Sequence, residues 1–282
     1  MRIFCFGCSF TRWFWPTWAD ILAVHMKDIH NVDVYNLGHR GLSNQGIAYT
    51  IMLANKKYKF TDNDKIIVLW TTADRFDTYK LEEFDKEVSM YKFAGLTAEG
   101  GKFTQSPYSH GDVVDCILNS AFVIDTINKA YNITYNGAWH GWDHIIPESP
   151  KYAEITYFGL HQISMNEHSL LSFDRSEMDE ALCKYDSHPT PAMHLEYLNK
   201  IILPFALKEN PVSNKDYAHK YVKNHTQQIS ELLDSVEAGE SSWDQGQRQL
   251  WSINSDEYLN LYKSHDKLFA QLRDIFLSNI FK

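Results

Sequence analysis

The stretch Ile3-Phe4-Cys5-Phe6-Gly7-Cys8-Ser9-Phe10-Thr11 decides the fold of this chain. Its apolar residues run from Ile3 to Phe6 and stop at Gly7, and Ser9 follows two residues later. This pattern predicts a buried first strand that ends in a sharp turn. Ligands of open α/β sheets bind just outside the carboxyl ends of the strands. The hydroxyl of Ser9 is therefore well placed to act as a nucleophile.

Short apolar runs and helical patterns alternate along the next two hundred residues. The runs at residues 32–37, 65–70 and 133–139 predict three more strands, the third of the four doubly buried. Apolar residues at helical spacing predict helices over residues 13–25, 43–55, 112–131 and 193–207. Ser43 is the predicted N-cap of the second helix, and Pro16 fits only the first turn of the first helix. This alternation predicts an α/β fold with a three-layer, doubly wound parallel sheet.

The regions between and after these elements have a different character. Residues 78–110 predict an irregular insertion, and residues 140–178 predict a loop that shapes the mouth of a cleft. Residues 217–235 and 255–281 have helical patterns, and no strand pattern follows residue 208. We therefore predict one domain over residues 1–208 and an α-helical extension over residues 209–282. The extension would pack on the domain or join copies into a homo-oligomer.

Composition and charge exclude several classes of function. The chain has 282 residues, a net charge of −9 and no long basic run, which argues against nucleic acid and anionic membranes as partners. It has no apolar window of about 18 residues and no signal-peptide pattern, so we expect a cytoplasmic protein without a membrane span. Cys5 and Cys8 have the spacing of a redox or zinc motif, but Cys5 lies inside an apolar strand. Both are expected to be buried core thiols.

Three clusters at predicted turns carry the residue types that acyl transfer by serine requires. They are the turn at Ser9, the segment from Asn36 to Asn44 that contains Gly41, and Asp186-Ser187-His188-Pro189. The reaction needs a nucleophile, a base, a carboxylate that orients the base, and N–H donors for the oxyanion. Ser9, His188, Asp186 and the turn at Gly41 supply one of each.

These clusters resemble the sequence blocks of the SGNH (GDSL-like) hydrolases, in the divergent form of bacteriophages and bacteria. Residues 7–11 resemble the first block, Gly-Asp-Ser-x-Thr, with Cys8 in place of the aspartate. Residues 36–41 resemble the second block, whose glycine, here Gly41, donates its N–H to the oxyanion. Asp186-Ser187-His188 resembles the last block in a shortened spacing known among relatives. The resemblance covers residues 1–207 and implies a flavodoxin-like fold with Ser9, His188 and Asp186 as the catalytic triad.

One departure from the family concerns the oxyanion hole. The third block, Gly-x-Asn-Asp, supplies an asparagine side chain as a donor, and this chain has Ala73 at that place. Loss of one such donor typically lowers the rate by about 10²–10³. The candidates for a substitute donor are Asn44, Thr72 and Arg75. The N–H groups of Ser9 and Gly41 complete the predicted oxyanion hole.

The resemblance implies a serine esterase that acts on a small-molecule or carbohydrate ester, such as an O-acetyl group on a sugar. No cofactor and no metal ion are required. The residues predicted to contact the substrate are Arg75, His39, Arg40 and Trp139. Two alternatives remain: an O-acyltransferase on the same triad, and a catalytically degenerate domain that serves as a binding or structural module, for example in a phage particle. For a phage-encoded protein, the expected compartment is the cytoplasm of the host cell.

Overall fold

The described residues form a four-stranded, all-parallel sheet with helices packed against it. The structure is a computed structural model that describes residues 1–71, 110–138, 170 and 176–252, without the side chains of residues 110–118, 248, 251 and 252. The sheet order is β2-β1-β3-β4, and the strands are β1 Arg2–Gly7, β2 Asp33–Asn36, β3 Lys65–Trp70 and β4 Tyr135–Ala138. The predicted α/β class and parallel sheet are confirmed. Residues 78–109 of the predicted insertion and most of the loop predicted at 140–178 lie outside the described residues.

The described residues contain seven α-helices, and the first three alternate with the strands along the chain. They are α1 Trp18–His30, α2 Asn44–Tyr58, α3 His110–Ala130, α4 Glu177–Leu182, α5 Pro191–Tyr197, α6 Tyr217–Glu237 and α7 Trp243–Ser252. A π-helix, Leu198–Leu207, continues α5 directly. The short helix α4 and the helix α7 were not predicted, and the second helix predicted for the extension lies outside the described residues.

The two central strands are buried on both faces, as their continuous apolar runs predict. Ile3, Phe4, Cys5 and Phe6 of β1 have no exposed surface. The β3 strand pairs with β1 in a parallel register that sets Phe6 beside Val68. Both faces must be covered by other elements, because a strand that is apolar on both sides cannot face water. The carboxyl end of β1, where Ser9 follows, is thus in the middle of the sheet.

The first helix begins five residues later than the sequence pattern predicts. Thr17 is its N-cap, and the N–H of Thr17 donates to Oδ2 of Asp20 at 2.9 Å. This capping box satisfies donors that a helix start leaves without partners. Pro16 therefore precedes the helix, and the prediction that it lies in the first turn was wrong. Trp13 and Trp15, predicted as helical, belong to the loop between β1 and α1.

The second helix has the predicted start. The hydroxyl of Ser43 accepts hydrogen bonds from the N–H groups of Gln45 and Gly46 at 3.1 and 3.3 Å. Because an oxygen at the N-cap satisfies these otherwise unpaired donors, Ser43 determines where α2 begins. The prediction of an N-cap at Ser43 is confirmed.

The amino end of β1 is tied to the turn that precedes β3 by an ion pair. The guanidinium of Arg2 donates to both carboxylate oxygens of Asp64, at 3.0 and 2.6 Å. Thr61 adds a backbone donor to the same carboxylate at 2.8 Å. These donors hold the pKa of Asp64 well below its usual range, the hydrogen bond from Arg2 being the largest cause. The pair fixes the register of β1 against β3 at its exposed end.

The described helices that follow residue 208 pack on the elements that precede it. Ala218 and Val222 of α6 lie in the main hydrophobic core, which also contains the strands and α1. A second apolar cluster joins the β1–α1 loop, α4, α6 and α7 through Trp15, Leu182, Ile229, Leu233 and Leu250. The domain boundary at residue 208 stays a prediction, but the helices that follow it contact the elements that carry Ser9 and His188.

Candidate functional site

The turn after β1 carries Ser9 in a constrained position. Ser9 is 5% exposed, and the N–H of Thr11 donates to the carbonyl oxygen of Cys8 at 3.0 Å, which closes the turn. A Cβ on Gly7 would lie 2.0 Å from Oγ1 of Thr11. Since no real Cβ contact is that short, a residue with a side chain at position 7 would push the turn away from the strand. Gly7 therefore allows the chain to fold back directly before Ser9.

A buried polar network links this turn to the turn after β2. The side-chain amide of Asn36 donates to the carbonyl oxygen of Thr11 at 2.8 Å and to Oδ1 of Asp20. Its own carbonyl oxygen accepts the N–H of Gly38 at 3.0 Å. Asp20 is 2% exposed and also accepts from Thr17. Because buried polar groups that are fully hydrogen-bonded are costly to rearrange, the network holds the two turns in one relative position.

The turn after β2 presents Gly41 in a backbone conformation that suits glycine. Gly41 has φ of 79°, in the left-handed region. The N–H of His39 donates to the carbonyl oxygen of Gly7 at 3.1 Å, so this turn also lies against the end of β1. Neither the N–H of Ser9 nor that of Gly41 donates to another described residue. The prediction that these two amides are oxyanion donors is compatible with this geometry and stays a prediction.

Asp186 and His188 form a hydrogen-bonded dyad. Nδ1 of His188 lies 2.6 Å from Oδ1 of Asp186, and the N–H of His188 donates to the same oxygen at 2.9 Å. The side chain of His188 is 14% exposed, and that of Asp186 is 7% exposed. An ionised carboxylate only accepts, so Nδ1 carries the proton and Nε2 is the nitrogen that can accept one. The predicted pairing of Asp186 with His188 is present.

The loop after Ser9 packs against this dyad with two tryptophans. The ring of Trp13 stacks on the imidazole of His188, with centroids 3.5 Å apart and planes 17° apart. The indole N–H of Trp13 donates to Oδ2 of Asp186 at 3.1 Å. The indole N–H of Trp15 donates to the carbonyl oxygen of Pro189 at 2.7 Å in a buried position. The β1–α1 loop thus holds both the carboxylate and the imidazole of the turn.

Ser9 and His188 are brought to the same region without a hydrogen bond between them. The ring of Phe10, the residue after Ser9, lies 4.8 Å from the ring of His188. No hydrogen bond joins Oγ of Ser9 to Nε2 of His188 in this structure. Hydrogen bonds between catalytic groups are often long without substrate and shorten when it binds. Ser9 and His188 therefore lie in the same region, and their direct hydrogen bond stays a prediction.

Gln247 of α7 is a site residue that the sequence did not indicate. Its side-chain amide donates to Oδ2 of Asp186 at 2.6 Å, and the residue is 8% exposed. With Trp13 on the same oxygen and two donors from His188 on the other, the carboxylate of Asp186 accepts four hydrogen bonds. Trp243 of α7 packs edge-on against Trp15 at 6.4 Å. No spacing in the sequence predicts that α7 docks at this site.

Arg40 lies at the edge of this aromatic group. Its guanidinium carbon is 4.1 Å from the ring centroid of Phe14 and 5.5 Å from that of Trp13. Such distances are typical of cation–π contacts. Arg40 is exposed, and the carbonyl oxygen of Arg40 lies 2.9 Å from Nδ1 of His39. Both predicted substrate contacts therefore lie on the loop beside the dyad.

The remaining predicted residues have different outcomes. Asn44 is buried, and its side chain makes two hydrogen bonds to the backbone of Thr71, at 3.0 and 3.2 Å. This places Asn44 at the carboxyl end of β3, and its role as an oxyanion donor stays a prediction. Four positions that the sequence analysis names lie outside the described residues: Thr72, Ala73, Arg75 and Trp139.

His194 is a second histidine close to the dyad. It is fully buried on α5, and neither ring nitrogen has a hydrogen-bond partner among the described residues. Burial lowers the pKa of His194 to about 3, with a smaller contribution from the nearby His188. Its imidazole is therefore neutral at physiological pH. The prediction that His188, and not His194, is the base stays a prediction.

The described side chains offer no group of three or more His, Cys, Asp or Glu residues that could hold a metal ion. Within the same residues, no helix combines the length and the apolar character needed to cross a membrane. Comparison of the chain with protein-family models, with curated proteins and with solved structures finds no match.

Proposed function

We propose that this protein is a serine esterase of the SGNH type, with Ser9, His188 and Asp186 as its catalytic triad. The proposal rests on the 2.6 Å hydrogen bond between Nδ1 of His188 and Asp186, in a turn that packs against the loop following Ser9. A base oriented in this way by a carboxylate is the arrangement that activates a serine hydroxyl. The parallel sheet, with order β2-β1-β3-β4, is compatible with a three-layer α/β fold.

The proposed reaction has two balanced steps. Oγ of Ser9 attacks the ester carbonyl while Nε2 of His188 accepts the hydroxyl proton. The oxyanion accepts hydrogen bonds from the N–H groups of Ser9 and Gly41. Collapse of the intermediate breaks the ester bond, and the leaving alcohol takes the proton from His188. Water then attacks the acyl-enzyme and gives a proton to the same nitrogen. Collapse of this second intermediate breaks the bond to Oγ of Ser9, which takes the proton back from His188, and the acid is released.

An O-acyl group on a carbohydrate is the proposed substrate class. Trp13 and Phe14 are half-buried, and Arg40 covers them from the solvent side. Aromatic faces beside an exposed guanidinium suit the apolar face and the hydroxyl groups of a sugar ring. These side chains lie directly beside the dyad, since Trp13 stacks on His188. A small acetyl group matches the limited space around Ser9, which is 5% exposed.

The experiment is covalent labelling with a fluorophosphonate, combined with hydrolysis of p-nitrophenyl acetate. We expect wild type to be labelled and active, and Ser9→Ala to lose both properties. His188→Gln should lower the rate by about 10³ or more, because the hydroxyl loses its base. Ser187→Ala is the matched control, since this exposed serine lies beside His188 and should behave as wild type. Equal labelling of wild type and Ser9→Ala would refute Ser9 as the nucleophile.

A degenerate domain that binds a ligand without catalysis is the second candidate. The burial of Ser9 and the missing hydrogen bond from its Oγ to Nε2 of His188 favour it. The same experiment separates the two: a folded wild type that is neither labelled nor active supports the binding module. Hydrolysis that requires both Ser9 and His188 supports the esterase.

A further inference from the structure

The carboxylate of Asp186 is held by three different parts of the chain. Oδ1 accepts two hydrogen bonds from His188 within the turn. Oδ2 accepts one from Trp13 of the β1–α1 loop and one from Gln247 of α7. From this geometry we infer that Gln247 is a positioning residue of the dyad, which fixes the plane of Asp186 and moderates the basicity of His188. The inference rests on the proposed function in one respect: it takes His188 as the catalytic base.

The position of Gln247 is determined by close packing on either side of it. A Cβ on Gly246, the preceding residue, would lie 2.0 Å from Cδ1 of Leu232, so α7 closely approaches α6 here. Trp243, one turn earlier, stacks on Tyr185 with ring centroids 5.5 Å apart. Helix α7 is thus anchored against both α6 and the residue that precedes Asp186. The side-chain freedom of a buried amide is lost when α7 docks, so its hydrogen bond to Asp186 requires little further ordering.

The direction of the effect follows from electrostatics. Each N–H donor on Oδ2 stabilises the negative charge of Asp186 and so weakens the attraction of that charge for a protonated His188. Removal of the Gln247 amide strengthens this attraction. The imidazolium is then favoured, and the ring of His188 should titrate at a higher pH than in wild type.

Other charged or titratable groups also face the dyad. His194 of α5 lies close enough to interact with His188, and Arg40 covers the ring of Trp13 that stacks on His188. Asp179 of α4 accepts the N–H of Thr190 at 2.8 Å, just beyond the same turn. All of these groups are unchanged when position 247 is substituted. A difference between wild type and a variant at this position therefore reports the loss of the Gln247 hydrogen bond.

The experiment is an NMR titration of the His188 ring in the full chain. We expect Gln247→Met, which keeps the chain length and removes the donor, to raise the midpoint by roughly half a pH unit. Gln245→Met is the matched control, because Gln245 is exposed on the same helix. It should leave the midpoint unchanged. An unchanged midpoint in a folded Gln247→Met protein would overturn the inference.

A wild-type measurement keeps the inference testable if Gln247→Met does not fold. The side-chain amide resonances of Gln247 should shift with the same midpoint as the ring of His188, while those of Gln245 should not. Side-chain amide resonances of Gln247 that do not shift as His188 titrates would overturn the inference. Neither readout requires turnover: a shifted midpoint in a protein without esterase activity refutes only the proposed function. If the protein is an active esterase, and the Gln247 substitution changes neither the titration midpoint of His188 nor the pH–rate profile, only the role of Gln247 is refuted.

Discussion

Replacement of His194 by methionine should reduce the loss of stability of this protein between pH 7 and pH 5. The imidazole has no exposed surface, and burial lowers its pKa from 6.5 to about 3. The folded chain therefore resists a proton that the unfolded chain accepts readily. Methionine has a similar volume and no titratable group, so it keeps the packing and removes the proton site.

The sign and size of the effect follow from proton linkage. Between the ordinary pKa of 6.5 and the folded value of about 3, the unfolded state binds more protons, so the free energy of unfolding falls as the pH falls. The steepest slope is about 1.4 kcal/mol per pH unit. Integration from pH 7 to pH 5 gives a loss of about 2 kcal/mol from His194 alone.

Urea denaturation at the two pH values tests this figure. We expect wild type to lose about 2 kcal/mol more than His194→Met on going from pH 7 to pH 5. Met193→Leu, a neighbouring buried position without a titratable group, should lose as much as wild type. All other titrating groups are shared by the three proteins and cancel in the comparison. Equal losses in wild type and His194→Met would refute the assignment of a buried, neutral imidazole.

Three further substitutions test the framework of the site by urea denaturation. Asp64→Asn should cost about 1–2 kcal/mol at pH 7, because the carboxylate accepts charge-assisted bonds from Arg2. That stabilisation needs the ionised carboxylate, so a cost that does not shrink from pH 7 to pH 3 would contradict it. Gly7→Ala should cost about 3 kcal/mol, because its Cβ would meet a threonine hydroxyl oxygen at 2.0 Å. A loss under about 1 kcal/mol would show that the turn can move. Asn36→Asp places a second carboxylate beside that of Asp20 and should lower the free energy of unfolding by about 3 kcal/mol at pH 7. The loss should be smaller at pH 5, where one carboxylate is protonated more easily, and a loss independent of pH would exclude charge repulsion.

The elements whose signals are local could be predicted from the sequence. The strand Lys65–Trp70 was predicted at its observed bounds, because a short apolar run bounded by a turn requires no knowledge of its neighbours. The same is true of the cap at Ser43. The pairing of Asp186 with His188 is also local, since the two residues belong to one turn.

The parts that depend on distant contacts could not be predicted. Trp13 and Trp15 have helical spacing, but their indoles donate hydrogen bonds to the turn that holds the dyad. The N-cap at Thr17 therefore starts the helix after both of them. Helix α7 was not predicted because a glycine and several glutamines interrupt the spacing of its apolar residues. The hydrogen bond from Gln247 to Asp186 spans 61 residues and exists only after α7 has docked.

The tryptophan contacts also bear on the order in which the protein folds. The hydrogen bonds of Trp13 and Trp15 span 173 and 174 residues, whereas β1 pairs with β2 across about thirty. Closure of a longer loop costs more chain entropy, and contacts between distant parts of the sequence form slowly. The sheet can therefore assemble while the dyad is still far from Ser9. After dilution from denaturant, the contacts of Trp13 and Trp15 with the dyad should form later than the sheet is buried. The activity that we propose for the site should therefore return late in folding.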